Sequence, residues 1–171
     1  MKIYSNNIVN GYFEDKCGHR GSQFLKEKKP NYSFHLGWQD LPKETKSLAI
    51  VFTDPDAIPV CGFSWIHWTV ANVDPNLGEL PENASVNMPL LQGVTSWNSG
   101  ILPKESHLNK EDATGFGGCA PPDTEHRYIL EVYALDKKLD LAPGFYLNEL
   151  LKAMDNHILD KKVLYGLYKT K

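Results

Sequence analysis

The sequence predicts a mainly β domain, an antiparallel sandwich with few helices. Runs of apolar residues of strand length dominate the body of the chain, at Ser47 to Thr53, Phe63 to Val73 and His126 to Asp136. Helical spacing is evident only near the C-terminus, so helices are expected to be short and peripheral. Glycine and proline, 13 and 11 in number, punctuate the chain throughout, with no internal repeat or low-complexity tract. A length of 171 residues with 42% apolar residues suits one domain over residues 1–171 with a substantial core.

In chain order, Lys26 to Lys29 is a charged run just before Pro30 and reads as a solvated turn. Tyr32 to Trp38 is aromatic-rich and reads as a strand. Ser47 to Thr53 is continuously apolar, as a strand buried on both faces would be. The prolines of Asp54 to Pro59 must take the chain out of that strand. Along Phe63 to Val73, strict alternation puts Phe63, Trp65, His67, Thr69 and Ala71 on one face, and Ile66, Trp68 and Val70 on the other. Asp74 to Glu125 is proline-rich and too long to be structureless, so short strands are expected near Glu79 to Pro81 and Leu91 to Thr95. Thr114 to Pro122 is a tight loop whose glycines let amides approach a ligand. His126, Tyr128, Leu130 and Val132 share a face of the next strand. Leu147, Leu150, Leu151, Met154 and Ile158 fall at helical spacing after Pro143 and Gly144. Val163 to Lys169 closes the chain as a strand.

Charge and hydropathy exclude several functions. A formal net charge of −3 offers no broad basic surface for nucleic acid. The polar start MKIYSNN does not look like a secretory leader, and no apolar run approaches a bilayer span. A cytoplasmic protein is expected, one that would meet a lipid through a headgroup pocket and not by insertion. Of the cysteines, Cys17, Cys61 and Cys119, none forms a CxxC pair, and the odd number argues against a full disulfide framework. A zinc quartet of Cys61, Cys119, His67 and His126 matches no known ligand spacing, and no required metal or cofactor is expected.

Four features could carry chemistry: Asp54 and Asp56 flanking Pro55 at the end of a buried strand, His67 inside a strand, the Gly-rich loop before Pro121, and His126 opening a strand. Each has a bland reading. A mid-strand histidine is commonly a satisfied core residue, and an Asp after a strand commonly caps a turn. Brought together, two histidines and a set of glycine amides can donate to an anion. The carboxylates would then orient the histidines and raise their pKa, or accept from a ligand ammonium. Trp65 would supply an apolar or cation–π wall. A phosphoethanolamine-like headgroup suits both kinds of partner.

At these same residues the chain resembles the phosphatidylethanolamine-binding protein family (PEBP, the Raf-kinase-inhibitor-like proteins), in its bacterial and archaeal branch. The resemblance lies in TKSLAIVFTDPDA, WIHWTVANV, FGGCAPPDTEHRYILEVYALD and AMDNHILDKKVLYGLYK, which keep the family's order and rough spacing. It implies a Greek-key β-sandwich with short helices near the C-terminus. It also implies a surface pocket for phosphate-like anions and phosphorylated headgroups, built from Asp54, Asp56, Trp65, His67, Gly118, Pro122, His126 and Tyr128. Members of the family act as inhibitors or scaffolds of signalling proteins, and no catalytic activity attaches to the fold. The chain departs from the pattern at Ile58, which precedes Pro59, and at Cys119, where many relatives carry proline.

The expected function is therefore a binding module for a small anionic or phosphorylated ligand, with a protein partner as a further expectation. An acid–base hydrolase using Asp54 with His67 or His126 is one alternative, but no G-x-S-x-G nucleophile occurs. A protein-interaction inhibitor with a vestigial pocket, using the long Asp74 to Glu125 segment, is the other.

Overall fold

The computed structural model describes residues 1–171. Its strands are β1 (Lys2–Tyr4), β2 (Ile8–Val9), β3 (Tyr12–Phe13), β4 (Phe24–Leu25), β5 (Lys29–Pro30), β6 (Leu36–Gln39), β7 (Ser47–Asp54), β8 (Trp65–Val73), β9 (Glu79–Leu80), β10 (Leu91–Gln92), β11 (His126–Leu135) and β12 (Ile158–Tyr168). Its helices are single turns at α1 (Ile58–Cys61), α2 (Ala84–Asn87) and α3 (Lys110–Ala113), with one longer helix, α4 (Leu147–Met154), near the C-terminus. No helix is long and apolar enough to cross a membrane.

The architecture is mainly β. A seven-stranded sheet runs β10-β8-β7-β11-β12-β3-β2, and a three-stranded sheet runs β1-β6-β9. The large sheet is mixed: β12 and β3 pair in parallel at Leu167 and Tyr12, while its other pairings are antiparallel. That edge is set by packing, because Phe13 lies over Gly166, where a Cβ would stand 2.3 Å from the ring.

The strongly apolar runs fold as their patterns dictate. β7 is covered on both faces: Leu48, Ile50 and Phe52 enter the main core with Phe34, Leu36 and Trp38 of the smaller sheet's side. Ala49 and Val51 enter a second cluster with Leu150 and Met154 of α4. α4 ends before Ile158, which opens β12 instead, because Asn156 takes a left-handed φ of 64° that no helix continues. The expected strand at Tyr32 to Trp38 is regular only from Leu36, and short strands do lie at Glu79–Leu80 and Leu91–Gln92.

Two local readings are corrected. Lys26, Glu27 and Lys28 form an exposed turn, but Lys29 is 1% exposed and donates Nζ to the Thr114 carbonyl at 3.0 Å. Burial pushes its pKa down to about 8. Strict alternation also fails in β8. Phe52 opposes Trp68 and Thr53 opposes Ile66, so His67 is the extra residue of a β-bulge. The bulge turns His67 toward Phe52 and Tyr128, on the side of the sheet that holds Trp68 and Val70, while Ala71 faces the α4 cluster. Period-2 patterning carries no signal for an inserted residue, so the face of His67 could not be read from spacing.

Candidate functional site

β7, β8 and β11 end side by side, and each brings a polar side chain to that end: Asp54, His67 and His126. All are buried, at 3%, 2% and 1% exposure respectively. The turn that follows Asp54 is built as the prolines require. Pro55 opens a 3-10 turn, Pro59 sits in the first turn of α1, and Gly62 ends that helix at a left-handed φ of 90°. Ile58, ahead of Pro59, is therefore an exposed helix residue and does not enter the site.

His67 is locked to the Gly-rich loop from both sides. The Gly117 amide donates to the His67 carbonyl at 2.7 Å, and His67 Nδ1 donates to the Gly117 carbonyl at 2.8 Å. β8 is short of a partner at this end, and the Ile66 amide donates to Ser96 Oγ instead. That contact seats Trp97 over the histidine, with ring centroids 5.4 Å apart. Burial pushes the His67 pKa down to about 4, against the field of Asp54 and the carbonyls of Gly117 and Gly118. His67 is thus neutral at pH 7 with its proton on Nδ1, leaving Nε2 as an acceptor.

His126 has the opposite character. Its Nδ1 faces Asp54 Oδ2 and its Nε2 faces Asp123 Oδ1, each at 2.8 Å. Burial works against its charge, but hydrogen bonds and attraction from Asp54 and Asp123 outweigh it and raise the pKa. With both ring nitrogens engaged by carboxylates, His126 is an internal counter-ion to Asp54.

Between α1, β8 and the loops around Trp97 and Pro122 lies a pit of about 290 Å³. Asp54, Trp65 and His67 contribute its polar groups together with Ser106 and Cys61, and the rest of the lining is apolar, including Trp97 and Leu102. Trp65 stacks on Phe63 and meets Trp97 edge-on at 5.3 Å, which makes an aromatic corner. Trp65 Nε1 in this wall has no partner, and the Asp54 carboxylate has the Tyr128 hydroxyl beside it as well as His126. Buried polar groups are nearly always hydrogen-bonded, so the unpartnered Trp65 donor marks a place for a ligand or water.

Of the residues expected at the site, Asp54, Trp65, His67 and Pro122 line the pit. His126 stands behind Asp54. Asp56 is exposed and accepts the Arg127 amide at 2.8 Å, tying the turn to β11. The Tyr128 hydroxyl is buried and accepts the Ala120 amide at 3.1 Å. The glycine amides require correction as anion donors. Gly117 and Gly118 donate to the His67 and Pro30 carbonyls, and Cys119 to the Cys17 carbonyl. These glycines serve close packing instead: a Cβ would lie 2.3 Å from Trp97 at Gly117 and 2.5 Å from the Cys17 carbonyl at Gly118.

Sequence reasoning missed Asp123 and Trp97. The spacing of Asp123 to His126, three residues apart at the start of a strand, was the available signal for the first; nothing marked the second. Cys61 reaches the pit, and its Sγ donates to the carbonyls of Ala57 and Phe63, each at 3.3 Å. Cys119 is fully buried, and burial raises its pKa well above the ordinary thiol value. No three His, Cys, Asp or Glu side chains gather as a metal-binding group.

Comparison with known proteins agrees with this architecture. The sequence profile of the family described as phosphatidylethanolamine-binding protein matches residues 7–169. YxkA of Bacillus subtilis is 45% identical over 166 residues, covering 93% of this chain and 94% of the relative. YbhB of Escherichia coli is 35% identical over 147 residues, covering 84% of each. Among solved structures, a PEBP homologue of Chlamydia trachomatis superposes with a TM-score of 0.77 at 29% identity, over 99% of this chain and 97% of that one. Escherichia coli YbcL, a member of the mammalian PEBP family, superposes with a TM-score of 0.75 at 25% identity, over 99% and 98%. Profile, relatives and fold point the same way: the chain belongs to the phosphatidylethanolamine-binding protein family.

Proposed function

We propose that this protein is a non-catalytic binding module whose pit receives a small phosphate-like or phosphorylated headgroup, and that it acts through this pit as an inhibitor or scaffold of a partner. The observation that carries the reading is the convergence of Asp54, His67 and Trp65, whose Nε1 is unpartnered, on a concave wall that is otherwise largely apolar. Exposed Val60, with Leu102, lines the pit and would suit an apolar group attached to the headgroup. The acid–base alternative has less support, because His126 is held by carboxylates on both nitrogens and Cys61 Sγ is engaged by the Ala57 and Phe63 carbonyls. Titration with phosphoethanolamine tests the reading. The His67 and Trp65 side-chain NMR signals should shift at up to millimolar ligand, and His67→Ala should abolish the response at Trp65. Unmoved signals at millimolar concentration contradict it.

A further inference from the structure

The hairpin that joins β2 to β3, remote from the pit, holds a reactive pair of residues. Val9 pairs with Tyr12, so the loop is Asn10 and Gly11 alone, and both take left-handed φ, at 52° and 84°. This is the type I′ turn, for which Asn-Gly is the preferred pair. Both residues are exposed, no partner holds the Asn10 carboxamide, and the Gly11 amide donates to no carbonyl. The space around Gly11 is open: a Cβ built there would have nothing within 4 Å. The other left-handed asparagines are placed differently. Asn72, Asn83 and Asn156 are followed by valine, alanine and histidine. The Asn72 side chain is tied at both ends to the Leu139 backbone, and that of Asn83 to Gln23.

We infer that Asn10 is a site of spontaneous covalent modification, in which the Gly11 nitrogen attacks the Asn10 side-chain carbonyl and the asparagine becomes aspartate or isoaspartate. The bond from Gly11 N to Asn10 Cγ forms as the Cγ–NH2 bond breaks, and the Gly11 amide proton leaves with the amine as ammonia. One water then opens the cyclic imide. Opening at Cγ gives aspartate. Opening at the main-chain carbonyl gives isoaspartate, in which the chain runs on through the former side chain. Nothing is oxidised or reduced. Glycine at the next position is what leaves the nitrogen open to this attack, since any Cβ there would crowd it.

The surroundings accept the new charge but not the new backbone. Asn10 shares a hollow of about 330 Å³ with Asp15, Arg20 and Lys169. Arg20 is paired with Asp15 at 2.8 Å, whereas Lys169 lies over the Tyr12 ring and joins no ion pair. A carboxylate at position 10 therefore finds an uncommitted cation. Isoaspartate also adds a main-chain carbon to a two-residue loop, and hairpin register is fixed by loop length. The Gly11 carbonyl accepts the Leu167 amide at 2.8 Å, and the hairpin delivers Phe13 to the core against Phe34 and Phe52. Isoaspartate should break that hydrogen bond and loosen the edge where β3 meets β12.

Peptide mapping by electron-transfer mass spectrometry tests this on the folded protein held at pH 8 and 37 °C. The mass gain of deamidation should appear at Asn10 before any other asparagine, with isoaspartate among the products. When half of the wild-type protein has reacted, Gly11→Ala should have reacted less than about a tenth as far. In 1H–15N spectra of the isoaspartate form, the Leu167 amide signal should shift. Asn10 unchanged after several weeks, or after another asparagine has reacted, overturns the inference, as do equal rates in the two proteins. An unshifted Leu167 signal in the isoaspartate form overturns the predicted break at the hairpin. If Gly11→Ala does not fold, the order of reaction among the wild-type asparagines decides the matter.

Discussion

The ends of β8 and β11 each bury a histidine within the same corner of the molecule, yet the two have opposite electrostatics. His67 is enclosed by Phe52, Trp97 and Tyr128 and hydrogen-bonded to a carbonyl, and burial holds it neutral. His126 is just as buried but stands between two carboxylates, and they raise its pKa. The difference teaches that exposure alone does not decide the state of a buried titratable group; the partner does. It also divides the labour at the pit. β8 supplies a neutral wall that faces the pit, and β11 supplies the counter-ion behind Asp54.

Breaking the charged side should have the largest effect. Asp54→Ala strands the His126 imidazolium with only the half-exposed Asp123, and removing one partner of a buried pair costs about 3–5 kcal/mol. Urea unfolding at pH 6 should show that loss, and a loss below about 1 kcal/mol would mean that His126 is not charged there.

The neutral side sets the response to acid. The folded pKa of His67, about 4, lies below the unfolded value near 6.5, so the unfolded chain binds the extra proton between those limits. Stability should therefore fall as pH drops from about 6.5 toward 4, by roughly 3 kcal/mol if the full shift is realised. His67→Phe should flatten that window. His126 acts with the other sign: its raised pKa contributes stability that is fully present below about 6.5 and is lost as pH rises through the folded value.

Gly117→Ala attacks the joint between the two regions. Its Cβ would meet Trp97 at 2.3 Å, and relieving the clash should cost about 1–3 kcal/mol while shifting the Trp97 fluorescence. The smallest effect belongs to Asp123→Asn. Asp123 is half exposed, so stability should change by less than about 1 kcal/mol. The His126 pKa should nevertheless drop measurably by NMR, because a donor-bearing amide replaces one of its two carboxylates.

The same contrast explains what could be read in the sequence. β7, β11 and the core of β8 were legible because a strand buried on one or both faces leaves a periodic or continuous apolar record. The N-terminal strands β1 to β3 were not, since two or three residues carry no period. Asp54, Trp65 and His67 stood out because polar groups interrupt or terminate apolar strands. The bulge that aims His67, the role of Gly117 and Gly118 as packing residues and the burial of Lys29 depend on contacts between segments far apart in the chain. A glycine chosen for exposed amides and a glycine chosen for missing bulk look alike in one sequence. So do a solvated lysine and one that reaches a distant carbonyl.

Two-dimensional 1H–15N NMR of the imidazole rings across pH 3.5 to 9 is the most direct measurement. The account predicts that His67 stays neutral, with the proton on Nδ1, until pH approaches about 4, whereas His126 is still protonated above pH 6.5. Two histidines titrating together near pH 6.5, or His67 carrying its proton on Nε2, would contradict the division between a neutral wall and a buried counter-ion.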